Sequence, residues 1–284
     1  MPIVFEQVSY SYDGKRDALS GVDFTLEDGG FLGLIGHTGS GKSTITQLMN
    51  ALLIPTSGRV LIDGVDTAEK KRRRQLRQRV GLAFQYPEAQ LFAQTVGDDI
   101  AFGPRNQGLN EDEVQRRVRN ALARVGFSYE DISQRSPFDL SGGQQRRVAL
   151  AGILACEPSV LVLDEPAAGM DPATIHEIRD YLRKLNGDGL TIVLVSHSME
   201  EIAELCSRVL VLQEGEVYMQ GTPTELFTKE NAAELRRINL GVPRATKFAL
   251  ELAAKGFELP GVILNETQLA NALIDLQRKG DTYG

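Results

Sequence analysis

The sequence predicts an α/β fold in which buried strands deliver polar side chains to one edge of a sheet. Four short apolar runs have the composition of strands buried on both faces, and they lie at residues 31–35, 80–84, 160–163 and 190–195. Segments with helical spacing of apolar residues separate them, which is typical of a parallel sheet covered by helices. Ligands bind such sheets at the carboxyl ends of the strands, so the residues after each run are candidates for a functional site.

The first elements of the chain read as an antiparallel pair. Residues 3–28 alternate between apolar and polar side chains around a turn at Asp13 and Gly14, which predicts two hairpin strands. Tyr12 lies next to this turn, where an exposed ring could stack on an adenine base. A half-buried strand tyrosine fits the pattern equally well, so both interpretations stay open.

The most specific motif is the stretch FLGLIGHTGSGKST at residues 31–44. After the first buried strand it has the spacing G-x-x-x-x-G-K-S of a phosphate-binding loop, in which glycines leave backbone N–H groups open to a phosphate. In this motif the lysine reaches the β- and γ-phosphates of a nucleotide, and the serine hydroxyl binds Mg²⁺. The candidate binding residues are Gly36, Gly39, Ser40, Gly41, Lys42, Ser43 and Thr44.

Local elements follow in order after this loop. Helical spacing predicts a helix over residues 42–53, with Leu52 on its apolar face, and a hairpin follows at 58–65. The basic run at 70–79 favours a solvated helix face over a nucleic-acid or lipid site, because the chain as a whole is acidic. Gln85 then ends the second buried run at the ligand-binding edge, and a mostly helical region reaches about residue 139.

A second helix start with free backbone donors is predicted in LSGGQ, at residues 140–144. Ser141 can cap the following helix, while Gly142 and Gly143 leave its first N–H groups accessible. The segment has no lysine, strand or metal ligand of its own. We therefore expect it to complete a site whose other half lies elsewhere.

Acidic and imidazole side chains end the last two buried runs. Asp164 and Glu165 suit a metal-dependent phosphate site, in which Asp164 binds Mg²⁺ directly or through water and Glu165 polarises the attacking water. A lone histidine after a strand is usually structural. His197 is nevertheless the third polar residue at such a strand end, after Gln85 and Asp164, which favours contact with the γ-phosphate.

The composition excludes several classes of partner and location. The formal net charge of -7 gives no reason to expect nucleic acid, and no apolar run approaches the length of a membrane span. Cys156 and Cys206 are too few and too far apart for a disulfide framework, which favours a reduced, cytosolic chain. From about residue 231 the sequence changes to short amphipathic helices without a catalytic constellation.

Taken in order, these motifs resemble the ATP-binding subunit of an ATP-binding-cassette (ABC) transporter over about residues 1–225. The motifs that carry the resemblance are residues 36–44, Gln85, LSGGQ at 140–144, VLVLDEP at 160–166, Asp171 and His197. The segments at 84–104 and from Ser136, together with the helical C-terminal extension, are similar to the ATPases of energy-coupling-factor (ECF) transporters. Within that group the chain is most similar to the second, A-prime type.

The resemblance implies an architecture. It comprises a P-loop NTPase (RecA-like) core with an antiparallel β subdomain and a helical signature subdomain at about 86–158, within an ATP-binding domain at 1–225. Residues 226–284 would form a small C-terminal helical extension for dimerisation.

The resemblance also implies roles for particular residues. Two such ATPases pair head to tail, so that Ser141, Gly142, Gly143 and Gln144 of one subunit close on the ATP and Mg²⁺ held by its partner. Tyr12 matches the position that stacks on adenine, and Gln85 the loop that senses Mg²⁺ and the membrane partner. Asp171 matches the inter-subunit loop, and His197 the switch histidine.

Partners and location follow from the same resemblance. The second ATPase is either a related but different chain or another copy, and the pair would drive a membrane T subunit that shares a substrate-binding S component. The cargo would be a vitamin or a transition-metal ion, and the ATPase would sit peripherally on the cytoplasmic face of the membrane. The alternatives are another ABC importer or exporter and, less well matched, a soluble ATPase acting on nucleic acid or ribosomes.

Overall fold

Two β-sheets organise the chain, for which the computed structural model describes residues 2–257 and 259–281. The strands are β1 (Ile3–Ser11), β2 (Asp17–Leu26), β3 (Phe31–Gly36), β4 (Ser57–Ile62), β5 (Val65–Asp66), β6 (Val80–Ala83), β7 (Val160–Asp164), β8 (Thr191–Val195), β9 (Arg208–Gln213) and β10 (Glu216–Gly221). The larger sheet has the order β10-β9-β3-β8-β7-β6, and the smaller has the order β2-β1-β4-β5.

The larger sheet is parallel from β9 to β6, and only the edge strand β10 is antiparallel. Its central strands bury both faces, as the four apolar runs predict. In β7, for example, Val160 and Val162 join one hydrophobic cluster while Leu161 and Leu163 join another on the opposite face. The carboxyl ends of β6, β7 and β8 therefore lie side by side at one edge of the sheet.

The smaller sheet is antiparallel throughout and includes the predicted N-terminal pair, β1 and β2. Phe5 on β1 stacks on Phe24 of β2 with ring centroids 4.4 Å apart. Together with helix α1 (Lys42–Met49), this sheet covers one face of the larger sheet, and a hydrophobic cluster lies between them. The predicted turn of the second hairpin is also present, with Asp63 and Gly64 at φ 53° and 73°.

Helices lie on both faces of the larger sheet and extend beyond it. They are α1 (Lys42–Met49), α2 (Arg73–Arg79), α3 (Val96–Asn106), α4 (Glu111–Arg124), α5 (Tyr129–Ile132), α6 (Gly142–Leu154), α7 (Pro172–Gly187), α8 (Met199–Leu205), α9 (Pro223–Leu226), α10 (Lys229–Arg237), α11 (Arg244–Ala254) and α12 (Glu266–Asp281). Helices α3 to α6 all lie between β6 and β7, where the sequence predicts a helical region. Within residues 2–257 and 259–281, no helix combines the length and apolar character that a bilayer span requires.

The prediction of a helix over residues 42–53 is wrong at its end. Helix α1 stops at Met49, because Ala51 adopts a left-handed conformation with φ 56°. The guanidinium of Arg77 donates two hydrogen bonds, of 3.2 and 2.9 Å, to the Ala51 carbonyl. As a result Leu52, predicted on the inner face, is 43% exposed.

Candidate nucleotide-binding site

The glycine-rich loop connects β3 to α1, and at two of its glycines there is no room for a side chain. A Cβ at Gly36 would lie 2.4 Å from the Ser40 hydroxyl oxygen and 2.5 Å from the Leu212 carbonyl oxygen. Gly41 has φ 103°, and a Cβ there would lie 2.5 Å from a Leu19 methyl carbon. The tight loop therefore leaves its backbone N–H groups uncovered at the start of α1, which is the geometry that binds phosphate.

Lys42 is folded back onto this loop. Its Nζ donates hydrogen bonds to the carbonyl oxygens of Gly36 (2.7 Å) and His37 (2.8 Å). Burial lowers the pKa of Lys42, and the negative charges of Glu165 and Asp164 partly offset that effect. The ammonium group thus lies within electrostatic range of both carboxylates at the end of β7.

The two carboxylates occupy different environments. Burial raises the pKa of Asp164, and the neighbouring Glu165 raises it further, while Lys42 and His197 oppose both effects. Glu165 has the left-handed φ of 51°, and its backbone N–H donates to the Val195 carbonyl of β8 at 2.9 Å. Such a conformation is strained for a residue with a side chain, and here it turns the Glu165 carboxylate across the strand ends.

Three strand ends meet at the Glu165 carboxylate. The Gln85 amide after β6 donates to one carboxylate oxygen at 3.1 Å. Nε2 of His197 after β8 lies 2.9 Å from the other oxygen. The structure therefore brings Gln85, Glu165 and His197 into one hydrogen-bonded group, with Lys42 and Asp164 beside it.

Tyr12 lies beside the phosphate loop. It follows the end of β1, and it is 63% exposed, so the alternative of a half-buried strand residue is wrong. Its hydroxyl is 3.1 Å from Thr44 Oγ1 on α1, and its ring packs edge-on against Tyr10. An exposed aromatic face therefore borders the loop, as stacking on a base requires.

The LSGGQ segment forms the start of α6 with both halves of a capping box. The Gln144 N–H donates to Ser141 Oγ at 3.4 Å, and the Ser141 N–H donates to the Gln144 side chain at 3.0 Å. Within the described part of the chain, no hydrogen bond joins residues 141–144 to the phosphate loop. Asp171 lies at the start of α7, where its carboxylate accepts from the Thr174 N–H at 3.1 Å and from the Thr174 hydroxyl at 2.6 Å.

The comparison with known proteins identifies the family. The family model for ABC transporters matches residues 19–168. The energy-coupling-factor transporter ATP-binding protein EcfA2 of Symbiobacterium thermophilum is 52% identical over 278 residues, which cover 96% of each chain. This chain belongs to the ABC transporter family, among the ATP-hydrolysing subunits of energy-coupling-factor transporters.

Further relatives support the same assignment. EcfA2 of Clostridium perfringens is 45% identical and covers 99% of this chain and 100% of its own. The solved structure of cbiO1 from Clostridium perfringens, part of the ABC transporter complex cbiONQ, has a TM-score of 0.74 at 38% identity and covers 84% of this chain and 94% of its own. The dimeric ATP-binding cassette MJ0796 has a TM-score of 0.68 at 28% identity, over 78% and 98% of the two chains. The predicted α/β fold with a P-loop core is thereby confirmed.

The residues around the loop fit a nucleotide-bound Mg²⁺ better than a metal held by protein alone. Among the described residues there is no group of three or more His, Cys, Asp or Glu side chains that could hold a metal ion. The predicted ligands instead offer one hydroxyl, one carboxylate and one amide oxygen, from Ser43, Asp164 and Gln85. Mg²⁺ in phosphate-transfer sites takes one or two carboxylates plus phosphate oxygens and water, and this set matches that preference.

Sequence reasoning missed a buried arginine next to this site. Arg146 on α6 has a side chain only 11% exposed, and it donates two hydrogen bonds to the Glu88 carboxylate at 3.1 and 3.0 Å. Its third nitrogen donates to the carbonyl oxygens of Pro166 (3.0 Å) and Ala168 (3.1 Å). The sequence shows two adjacent arginines after LSGGQ, but nothing in the pattern indicates which one faces inward.

A groove of about 920 Å³ opens beside the site, between α2, α3 and the segment after Gln85. Three exposed aromatic residues, Phe84, Phe92 and Phe102, line it, and the rings of Phe92 and Phe102 pack edge-on 4.9 Å apart. Arg74 and Arg77 line the opposite side. Exposed aromatic surface of this extent is typical of a protein-interaction site.

Proposed function

We propose that this chain powers uptake through an energy-coupling-factor transporter by hydrolysing ATP between two ATPase subunits. The observation that carries the proposal is the hydrogen-bonded group of Gln85, Glu165 and His197 beside the phosphate loop. Glu165 is oriented from both sides, so it can take the proton from a water that attacks the γ-phosphate.

In this mechanism the chain's own residues bind and orient the reactants. Lys42 turns from the Gly36 and His37 carbonyls toward the β- and γ-phosphates, and Tyr12 stacks on the adenine ring. Ser43, Asp164 and Gln85 would hold Mg²⁺, which would neutralise part of the phosphate charge. His197 contacts the γ-phosphate and keeps the Glu165 carboxylate in place.

The second half of the site is proposed to come from a neighbouring ATPase, arranged head to tail. The first N–H groups of a helix have no intrahelical partner, so Gly142 and Gly143 present free donors. Ser141 and Gln144 lie at the same helix start, and Asp171 would contact the neighbour beside it. These residues would close on the neighbour's ATP, which explains a second anion-binding helix start without a lysine of its own. The neighbour is a related but different ATPase or another copy.

The domain boundaries belong to this proposal too. Residues 1–225 would form the ATP-binding domain, with the helical signature subdomain inserted at about 86–158. Residues 226–284 would contribute a helical dimerisation extension. The cluster between α11 and α12 supports a separate packing unit for the last part of this extension, and its buried members among the described residues are Ala245, Ile263 and Ala272. Leu235 on α10 belongs instead to the main core.

The groove beside Gln85 is proposed to receive the membrane T subunit. Its exposed aromatic side chains can bury apolar surface of a partner, and Gln85 connects the groove to the Glu165 carboxylate through one hydrogen bond. The T subunit would share an S component that selects a vitamin or a transition-metal ion, and the ATPase would lie on the cytoplasmic face of the membrane.

Copurification and hydrolysis test the proposal. A tagged full-length chain, expressed with its candidate ATPase partner and T subunit, should copurify with both and hydrolyse ATP only when Mg²⁺ is present. A strictly monomeric chain that hydrolyses ATP at the full rate of the complex would refute the shared site. Copurification with a membrane protein unrelated to T subunits would refute the proposed transporter class but not the proposed mechanism of ATP hydrolysis.

A further inference from the structure

The Arg146 side chain joins two segments that are distant in sequence, since its partners Glu88 and Pro166 are 78 positions apart. One is the short 3-10 helix Pro87–Gln90, through Glu88, and the other is the loop after Glu165, through the carbonyls of Pro166 and Ala168. Arg146 itself lies on α6, five residues after Ser141. One guanidinium therefore connects the helix start proposed to bind the neighbour's ATP with both segments.

Each of the two segments is next to a different part of the proposed machinery, one to the groove and the other to Glu165. Glu88 lies two positions before Gln90, which lines the groove together with Leu91 and Phe92. Pro166 and Ala168 belong to the loop that begins at Glu165. The hydrogen bonds of Arg146 therefore link the groove wall to the carbonyl groups of the loop after Glu165.

The geometry of this connection requires an arginine. A guanidinium has five N–H donors in a fixed plane, so it can bind a carboxylate with two nitrogens and still donate from the third. A lysine ammonium keeps the charge but is a compact point donor on a flexible stem. Because the side chains of Arg146 and Glu88 are only 11% and 23% exposed, water competes weakly for these hydrogen bonds.

We propose that Arg146 is a positioning residue through which occupation of the groove sets the position of the Glu165 loop. It touches none of the reacting atoms and acts only by holding the loop behind Glu165 in register with the Glu88 segment. The inference rests on the proposed function, since it assigns the groove to the membrane partner.

Arg146→Lys tests this role, and Arg117→Lys is the matched control. Arg117 is 15% exposed and pairs with Glu113 at 2.9 Å and Glu157 at 3.0 Å, but it contacts neither segment joined by Arg146. For each variant, kcat and KM for ATP are measured in the free ATPase pair and in the complete membrane complex. The ratio of the two kcat values reports how strongly the membrane partner drives hydrolysis.

We expect Arg146→Lys to lower kcat of the complex by about 10- to 100-fold, as small misplacements of a catalytic group do. KM for ATP should stay within about twofold, and the ratio of the two kcat values should approach one. Arg117→Lys should keep the wild-type ratio. Glu88→Gln should reproduce the Arg146→Lys defect, and the double variant should be no worse than either single one, because both remove the same connection.

Three results with the variants would overturn the inference. They are an unchanged kcat ratio in Arg146→Lys, an equal loss in Arg117→Lys, and a rise in KM that accounts for the whole defect. A wild-type complex in which the membrane partner leaves kcat unchanged would overturn it too. Failure of the proposed function looks different, because then the wild-type chain would not hydrolyse ATP or would not copurify with a membrane partner.

Discussion

Replacing Glu165 by glutamine is the sharpest test of the proposed chemistry. Glutamine has the shape of glutamate but cannot accept a proton from water, so it separates binding from hydrolysis. The phosphate loop and Lys42 are untouched by the change. We therefore expect Glu165→Gln to bind ATP normally and to lose almost all turnover.

The size of the effect follows from the contacts of the carboxylate. A positioned general base contributes about 10²- to 10⁴-fold to the rate, which corresponds to about 3–5 kcal/mol of barrier. The carboxylate accepts from Gln85 at 3.1 Å and lies 2.9 Å from His197 Nε2. A glutamine amide keeps one acceptor and turns its NH₂ toward the other donor, so one of the two contacts is also lost. Rotation of the Gln85 amide can relieve that clash, which is why we expect little change in folding stability.

Two assays separate the outcomes. Equilibrium binding of a fluorescent ATP analogue gives Kd, and single-turnover hydrolysis in the assembled ATPase pair gives the chemical rate. Glu165→Asp serves as a second variant, because it retains a carboxylate but withdraws it by one methylene. Hydrolysis by Glu165→Gln within tenfold of the wild-type rate would refute the role of Glu165 as base. A tenfold weaker Kd would show instead that the change disturbs the loop.

Three further predictions address the other parts of the site and the fold. Ser141→Arg should abolish hydrolysis by the pair while its own chain still binds ATP, because the added side chain blocks only the contact with the neighbour. Tyr12→Ala should raise Kd for ATP about 5- to 100-fold, since stacking contributes about 1–3 kcal/mol per base, while Tyr12→Phe should stay within about fivefold. Phe5→Ala should lower the free energy of unfolding by about 3–5 kcal/mol in a denaturant titration, because it removes a buried ring stacked on Phe24.

Each of these predictions has a control and an opposing result. Ser128→Arg, an exposed change in the same helical region, should hydrolyse normally, and loss of ATP binding by Ser141→Arg itself would place both half-sites in one chain. Equal weakening by Tyr12→Ala and Tyr12→Phe would assign the effect to the hydroxyl that contacts Thr44. Phe257→Ala should change stability by less than about 0.5 kcal/mol, because that ring is exposed. A Phe5→Ala loss as small as this would contradict the cluster between the sheets.

Motifs and strand ends could be predicted from the sequence because they depend on short-range rules. The phosphate loop follows from glycine spacing, and the meeting of Gln85, Glu165 and His197 follows from the parallel order of buried strands. The order itself, β10-β9-β3-β8-β7-β6, depends on long-range pairing that no local pattern encodes. The ATP-binding domain, the helical subdomain and the C-terminal extension were predicted only through the family resemblance, and their boundaries stay a prediction.

Arginine side chains that bind distant carbonyl groups were the main feature that sequence reasoning could not place. The run at residues 70–79 is predicted as a solvated face, and its basic residues are exposed or half-buried while Leu76 is buried. Arg77, however, donates to the Ala51 carbonyl, and Arg74 donates to the Asn106 carbonyl at 2.7 Å, so both guanidinium groups close the ends of helices. Arg146 was missed for the same reason, because the sequence does not distinguish an arginine that binds distant carbonyl groups from one that is exposed to water.

The capping box at the start of α6 determines what this surface can accept. The Ser141 oxygen already receives the Gln144 N–H, and the Gln144 oxygen already receives the Ser141 N–H. The serine hydroxyl hydrogen, the Gln144 NH₂ group and the two glycine N–H groups remain as donors, so donors outnumber free acceptors at this helix start. An anion is therefore a better partner for this surface than an uncharged peptide segment, because hydrogen bonds to a charged acceptor are stronger. The contact between two such subunits would therefore weaken at this surface once the phosphates have left.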